Sequence, residues 1–247
     1  MFEIQSSLIF PTHAVAPAGR LPKGAEALEL ETADGETLAG VHIPADTPAK
    51  DAPLLLVFGG NAWNAQDAAE YLREVFPDHE IVAFHYRGYR PSTGSPSAEA
   101  LIADAPLVYD YVAKRFRPKR VIAVGFSIGS GIAATLAAER ELDGLILVTP
   151  FDSLKGVAQA MYPWLPIGPF FHHEIDSAGA IETVKTPVAI IAAQHDEIVA
   201  AERTQGLRER VPNLVFDSTI AAAGHNDIYA KSDFHHAMRE ALARLET

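Results

Sequence analysis

Val121-Ile122-Ala123-Val124-Gly125-Phe126-Ser127-Ile128-Gly129-Ser130 is the stretch on which the reading of this chain turns. Its first four residues are wholly apolar, as in a strand buried on both faces. From Ser127 to Arg140 the small residues and good helix formers predict a helix. Between the two lies Gly-x-Ser-x-Gly, with glycine at 125 and 129 and serine at 127. Such a pentapeptide alone is a weak signal, but a strand before it and a helix after it supply the strand–turn–helix context the motif needs. The turn is so tight that neighbouring side chains would collide, which the two glycines avoid. Ser127 then projects its hydroxyl above the sheet at the positive end of a helix, where developing negative charge is favoured. The plainer alternative is a glycine-rich turn whose serine only caps the helix.

Outward from this elbow the same grammar repeats. Leu54–Phe58, Ile81–Phe84, Leu145–Val148, Val188–Ala193 and Leu214–Phe216 are short apolar runs, and Ala65–Phe76, Ser97–Phe116, Ala201–Arg210 and Phe234–Leu245 carry helical spacing between or after them. Ala25–Glu31 and Thr37–Ile43 flank an Asp34-Gly35 turn, a hairpin signal. The predicted fold class is α/β: a mostly parallel central sheet with helices on both faces and an antiparallel N-terminal hairpin. We read residues 1–247 as one domain with a short cap-like insertion at about 152–186. Ligands of such sheets bind beyond the carboxyl ends of the strands, so chemistry is expected just after each apolar run.

A serine hydroxyl needs a base to take its proton. Of ten histidines, His225 stands in Ala222-Ala223-Gly224-His225-Asn226-Asp227, a loop between the last strand and the last helix, and follows the serine as this elbow's chain order requires. The orienting acid is assigned to Asp196, three residues past Val188–Ala193, with Asp152 as its rival one strand earlier and the adjacent Glu197 expected to point elsewhere. Backbone N–H donors for an oxyanion are expected from Ile128 and from Asn61, in the Gly59-Gly60-Asn61-Ala62-Trp63-Asn64 loop. That loop also reads as an ordinary strand-to-helix turn.

Composition narrows the function classes. Cysteine is absent, which excludes disulfides, thiolate catalysis and zinc–thiolate sites, and no metal ligand set is read. The formal net charge of −12 argues against nucleic acid as a partner. The basic stretch at Lys114, Arg115, Arg117, Lys119 and Arg120 reads as a solvated helix end. No run approaches the length of a membrane span, and the N-terminal residues do not resemble a signal peptide, so a cytoplasmic location is expected. The oligomeric state is not legible.

Together these residues resemble the α/β-hydrolase superfamily, and within it the serine hydrolases of the serine aminopeptidase-like and monoacylglycerol-lipase-like group. The likeness rests on Phe58-Gly59-Gly60-Asn61-Ala62, Tyr86-Arg87-Gly88-Tyr89 with Ser92-Thr93-Gly94-Ser95-Pro96, the elbow, Asp196-Glu197-Ile198-Val199 and Gly224-His225-Asn226. It implies cleavage of small-molecule acyl esters, thioesters or amides through an acyl-enzyme, without cofactors. Three features depart from the family. Gly59-Gly60 stands where His-Gly is usual, Ala200 replaces a common proline, and the insertion is short. Arg87 is read as a loop anchor.

Met161, Tyr162, Trp164, Leu165, Pro166, Ile167, Phe170 and Phe171 form an apolar, proline-broken segment. It either roofs the site, with Met161, Trp164 and Phe170 as pocket residues, or serves as a connector. Trp63 either borders the pocket or fills core. The expected activity is that of a serine esterase with Ser127, Asp196 and His225 as its catalytic triad. The alternatives are a serine peptidase acting on short peptides and a non-catalytic protein that uses the fold for binding. The last would place Ser127 and His225 beyond hydrogen-bond reach.

Overall fold

Leucine and β-branched runs build the centre of the molecule. In the computed structural model, residues 2–164 and 171–247 are described, with the side chains of 2–4 excepted. The strands are β1 (Glu26–Glu31), β2 (Thr37–Ile43), β3 (Leu54–Phe58), β4 (Ile81–Phe84), β5 (Val121–Phe126), β6 (Gly144–Val148), β7 (Val188–Ala193) and β8 (Leu214–Ile220). They form one sheet in the order β1-β2-β4-β3-β5-β6-β7-β8. β1 and β2 pair antiparallel, as do β2 and β4, and the remaining pairs are parallel. The expected α/β architecture with an antiparallel N-terminal hairpin is therefore the observed one.

Every residue of β3, β5, β6 and β7 is buried, because helices cover both faces of these strands. Alternation assigns the side chains to two cores. Leu54, Leu56 and Phe58 join Leu145 and Leu147 on one face, while Leu55 and Val57 join Ile146 and Val148 on the other. The helices are α1 (Phe2–Ile9), α2 (Ala65–Val75), α3 (Ala98–Phe116), α4 (Ile128–Glu139), α5 (Leu154–Met161), α6 (Ser177–Ile181), α7 (Ala201–Arg208) and α8 (Ser232–Glu246). α3 and α4 supply the first core, α2 and α8 the second. Side chains fix several starts: Asn64 accepts from Asp67 N–H, Ser97 from Ala100 N–H and Ser153 from Gly156 N–H.

Helices α1, α5 and α6 were not expected. α1 precedes the hairpin, and α5 and α6 lie within the insertion, where Ser153 bridges Asp176 in an isolated antiparallel pair. The proline-broken segment starts at Met161, the last residue of α5, and the helix is capped at Tyr162. Its residues 165–170 lie outside the described residues.

Candidate active site

The elbow forms because nothing bulkier fits. A Cβ on Gly125 would stand 2.4 Å from Gly129 O, and one on Gly129 would stand 2.1 Å from Phe58 O. Ser127 itself holds φ 50 and ψ −117, a conformation that non-glycine residues rarely adopt. Its N–H donates to Val148 O at 2.9 Å, pinning the turn to the neighbouring strand β6. Ser127 occupies the N-cap position of α4, yet its side chain makes no capping hydrogen bond. The plain capping alternative therefore does not describe it.

His225 meets that hydroxyl. Its Nε2 lies 2.9 Å from Ser127 Oγ, and its Nδ1 lies 2.9 Å from each carboxylate oxygen of Asp196. A carboxylate can only accept, so Nδ1 carries the proton and Nε2 is left as an acceptor for the serine hydroxyl. The His225 and Asp196 side chains are only 5% and 7% exposed, which shields the pair from competing water. Asp196 is held in turn: its Oδ1 accepts from Ile198 N–H at 3.0 Å and Val199 N–H at 2.7 Å. Glu197 does not simply point elsewhere. Its carboxylate accepts the backbone N–H of His225 at 2.9 Å and so fixes the histidine loop.

The rival acid has a different partner. Asp152 Oδ2 pairs with Arg203 at 3.2 Å. His172 and His173 contact the N-terminal helix through Gln5 and Ser6, and His235 meets Tyr229 O at 2.9 Å.

The backbone of Gly60 runs beside the serine, so that a Cβ there would lie 4.0 Å from Ser127 Cβ. Asn61 and Ile128 both border the adjoining cavity. The side chain of Asn61 is engaged on both ends, donating from Nδ2 to Ile9 O and accepting at Oδ1 from the Tyr89 hydroxyl at 2.6 Å. Arg87 is an anchor, as expected. It forks onto Asp104 at 3.0 and 2.7 Å and also pairs with Asp34 in the hairpin turn. This contact draws the Asp34 carboxyl down to about 2.

A cavity of about 530 Å³ opens over Ser127, within the usual range for small-molecule sites. Leu154, Val157, Ala158 and Met161 line one side, and Leu8, Ile9 and Pro11 another. Of the expected pocket residues, Met161 lines this cavity. Trp164 does not line the cavity and is 71% exposed. Phe170 lies outside the described residues. Trp63 lines the cavity and packs, partly buried, against the second core, with its ring 5.4 Å from Phe126 and 5.2 Å from Tyr229. The α5 face was legible, since 154, 157, 158 and 161 follow the helical i, i+3, i+4, i+7 spacing. The contributions of Leu8–Pro11, Glu197 and Tyr229 had no comparable signal. Among the described residues, no helix is long and apolar enough to cross a membrane, and no cluster of three or more His, Asp or Glu is arranged to hold a metal.

The model of the alpha/beta hydrolase fold family matches residues 53–180. The chain belongs to this family. The α/β-hydrolase described here is 32% identical to an uncharacterised protein of Mycobacterium tuberculosis over 89% of this chain and 79% of that one. It is 31% identical to a lysophosphatidylserine lipase of Danio rerio, over 60% of this chain and 44% of the lipase. Among solved structures, an esterase of Pyrococcus furiosus superposes with a TM-score of 0.75 at 20% identity, covering 94% and 96% of the two chains. An α/β-hydrolase of Vibrio vulnificus gives 0.76 at 18% identity, covering 98% and 92%. These two likenesses speak to the fold.

Proposed function

We propose that this α/β-hydrolase is a serine ester hydrolase acting on small molecules with an apolar acyl group, with Ser127 as nucleophile, His225 as base and Asp196 as orienting acid. The observation that carries the reading is the continuous hydrogen-bonded run from Asp196 through His225 to Ser127 Oγ, opening on an apolar cavity. Names among the relatives agree with ester cleavage.

In acylation, Ser127 Oγ bonds to the carbonyl carbon while its proton passes to His225 Nε2. Asp196 stabilises the imidazolium. The carbonyl oxygen takes the electron pair and turns toward the N–H groups of Ile128 and Asn61. As the tetrahedral species collapses, the bond to the leaving oxygen or sulfur breaks, and that atom takes the proton from His225. Water then attacks the acyl-enzyme by the same route and frees the acid. The cavity sets the acyl preference. No Lys or Arg lines it among the described residues, which favours an uncharged group over an anionic one at that position.

The test is reaction with a fluorophosphonate probe, followed by ester and thioester chain-length series. Wild type is expected to label and to favour medium acyl chains over acetyl, and Ser127→Ala to lose label and about 10⁴-fold or more in kcat. Folded wild type that neither labels nor cleaves any ester overturns the reading. Faster release from aminoacyl or dipeptidyl dyes than from esters would replace it with a peptidase.

A further inference from the structure

Several hydrogen bonds around the Gly59–Trp63 loop lie outside the two backbone donors proposed above. The Tyr86 hydroxyl donates to Gly59 O at 2.7 Å, and the Tyr89 hydroxyl donates to Asn61 Oδ1 at 2.6 Å. Burial pushes the pKa of both phenols up, so both remain protonated donors. Arg87, between them in sequence, is fixed on Asp104. The loop is therefore braced from below by two hydroxyls carried on one anchored turn. From above it is tied to the N-terminal arm, because Asn61 Nδ2 donates to Ile9 O.

That arm is more than an appendage. Ile9 and Phe10 are buried, and Leu8, Ile9 and Pro11 face the cavity. The arm also grips the insertion. Ser6 Oγ and His173 Nε2 stand 2.9 Å apart, Gln5 Oε1 accepts from His172 N–H at 3.3 Å, and the Phe10 ring meets His173 edge-on at 5.2 Å. Asn61 thus both touches the arm with its side chain and offers its backbone N–H as a proposed oxyanion donor.

We propose that residues 5–11 are a working wall of the acyl pocket, and that Asn61 and Tyr89 are positioning residues that link this wall to the oxyanion loop. This rests on the acyl-ester reading. An acyl chain pressed against Leu8 and Ile9 bears on the Ile9 carbonyl, and through Asn61 on the loop backbone. Tyr89 holds the other end of the same carboxamide, so the loop has a fixed reference against which the arm acts. Acyl-chain length then affects kcat as well as KM. The arrangement gives the Gly59-Gly60 loop direct support from the Tyr86 and Tyr89 hydroxyls.

The two links can be cut separately. Tyr89→Phe removes only the hydroxyl that donates to Asn61. Asn61→Asp keeps an acceptor for Tyr89 and loses the donor to Ile9. Backbone hydrogen exchange over residues 5–10 and 59–63, read in full-length wild type and both variants, reports the linkage directly. Tyr89→Phe is expected to speed exchange about 10-fold in the loop and also in the arm, which the Tyr89 hydroxyl reaches through the Asn61 carboxamide. Asn61→Asp is expected to do the same to the arm. On p-nitrophenyl acetate and octanoate, Tyr89→Phe should lower kcat about 10-fold with KM held within about twofold, the signature of a misplaced transition-state donor. Leu8→Ala should shift the octanoate-to-acetate preference about fivefold toward acetate. Arm exchange at the wild-type rate in both Tyr89→Phe and Asn61→Asp overturns the linkage, and an unchanged acyl preference in Leu8→Ala overturns the wall. Should wild type cleave no ester, the ester reading falls, while exchange still decides whether arm and loop are coupled.

Discussion

At the scale of single residues, the site is a chain of acceptors and donors in which each member holds the next. Asp196 is fixed by two backbone N–H groups, His225 by Asp196 at its ring and by Glu197 at its backbone, and Ser127 Oγ meets the remaining ring nitrogen. Glu197 is the member that sequence reasoning sent elsewhere. Position in the chain says only that it follows Asp196; which way its carboxylate turns depends on a loop 28 residues later. Its bond also leads to a prediction. Glu197→Ala leaves a backbone N–H without its partner and frees the histidine loop, so kcat for ester cleavage should fall about 10-fold while the thermal midpoint drops by only a few degrees. Steady-state kinetics beside a melting curve would check it, and Glu197→Gln, which keeps an acceptor oxygen, should restore most of the rate.

At the scale of elements, the elbow shows why a five-residue pattern carries so much structural information. The close approach of Gly129 to Phe58 O places the start of α4 against the end of β3, and this brings the Gly59–Trp63 loop beside Ser127. The two glycines are thus determinants of how a strand, a helix and a loop converge. Gly129→Ala drives a methyl group into backbone rather than into a flexible side chain, so relief requires the strand to move. We expect a loss of about 3 kcal/mol or more in urea unfolding, or no folded protein at all, whereas Gly19→Ala, with nothing within 4 Å, should stay within about 0.5 kcal/mol of wild type. Helix α5 gives the complementary lesson. Its apolar spacing was present in the sequence, but the pattern shows only that one face is apolar. That the face borders a cavity rather than solid core was decided by what packs opposite, the arm from the far end of the chain.

At the scale of the whole molecule, a titration built into the core sets how stability depends on pH. His85, at the end of β4, is 5% exposed, and burial pushes its pKa from 6.5 down to about 4 against a small opposing effect of Asp67. Between these two values the unfolded chain binds the proton and the folded one does not. Stability from this group is therefore complete above pH 6.5, declines as pH falls, and is exhausted near pH 4. His85 should contribute a loss of about 2 kcal/mol between pH 7 and pH 5, and a variant with Gln at this position should show a shallower pH dependence in urea unfolding over that range. The order of the eight strands and of helices α2, α3, α4, α7 and α8, the two-sided burial of β3 and β5–β7, and the elbow between β5 and α4 were determined by sequence alone, because each follows from local periodicity and from the steric demands of a few glycines. The sequence also singled out Ser127, Asp196 and His225, since the ends of parallel strands must lie side by side. Tertiary structure alone decided that the first helix walls the cavity, that Glu197 and Asn61 brace backbone far from them in sequence, and that Trp164 turns to solvent. Those outcomes depend on contacts between segments 28 to 52 residues apart or more, for which a local pattern carries no signal.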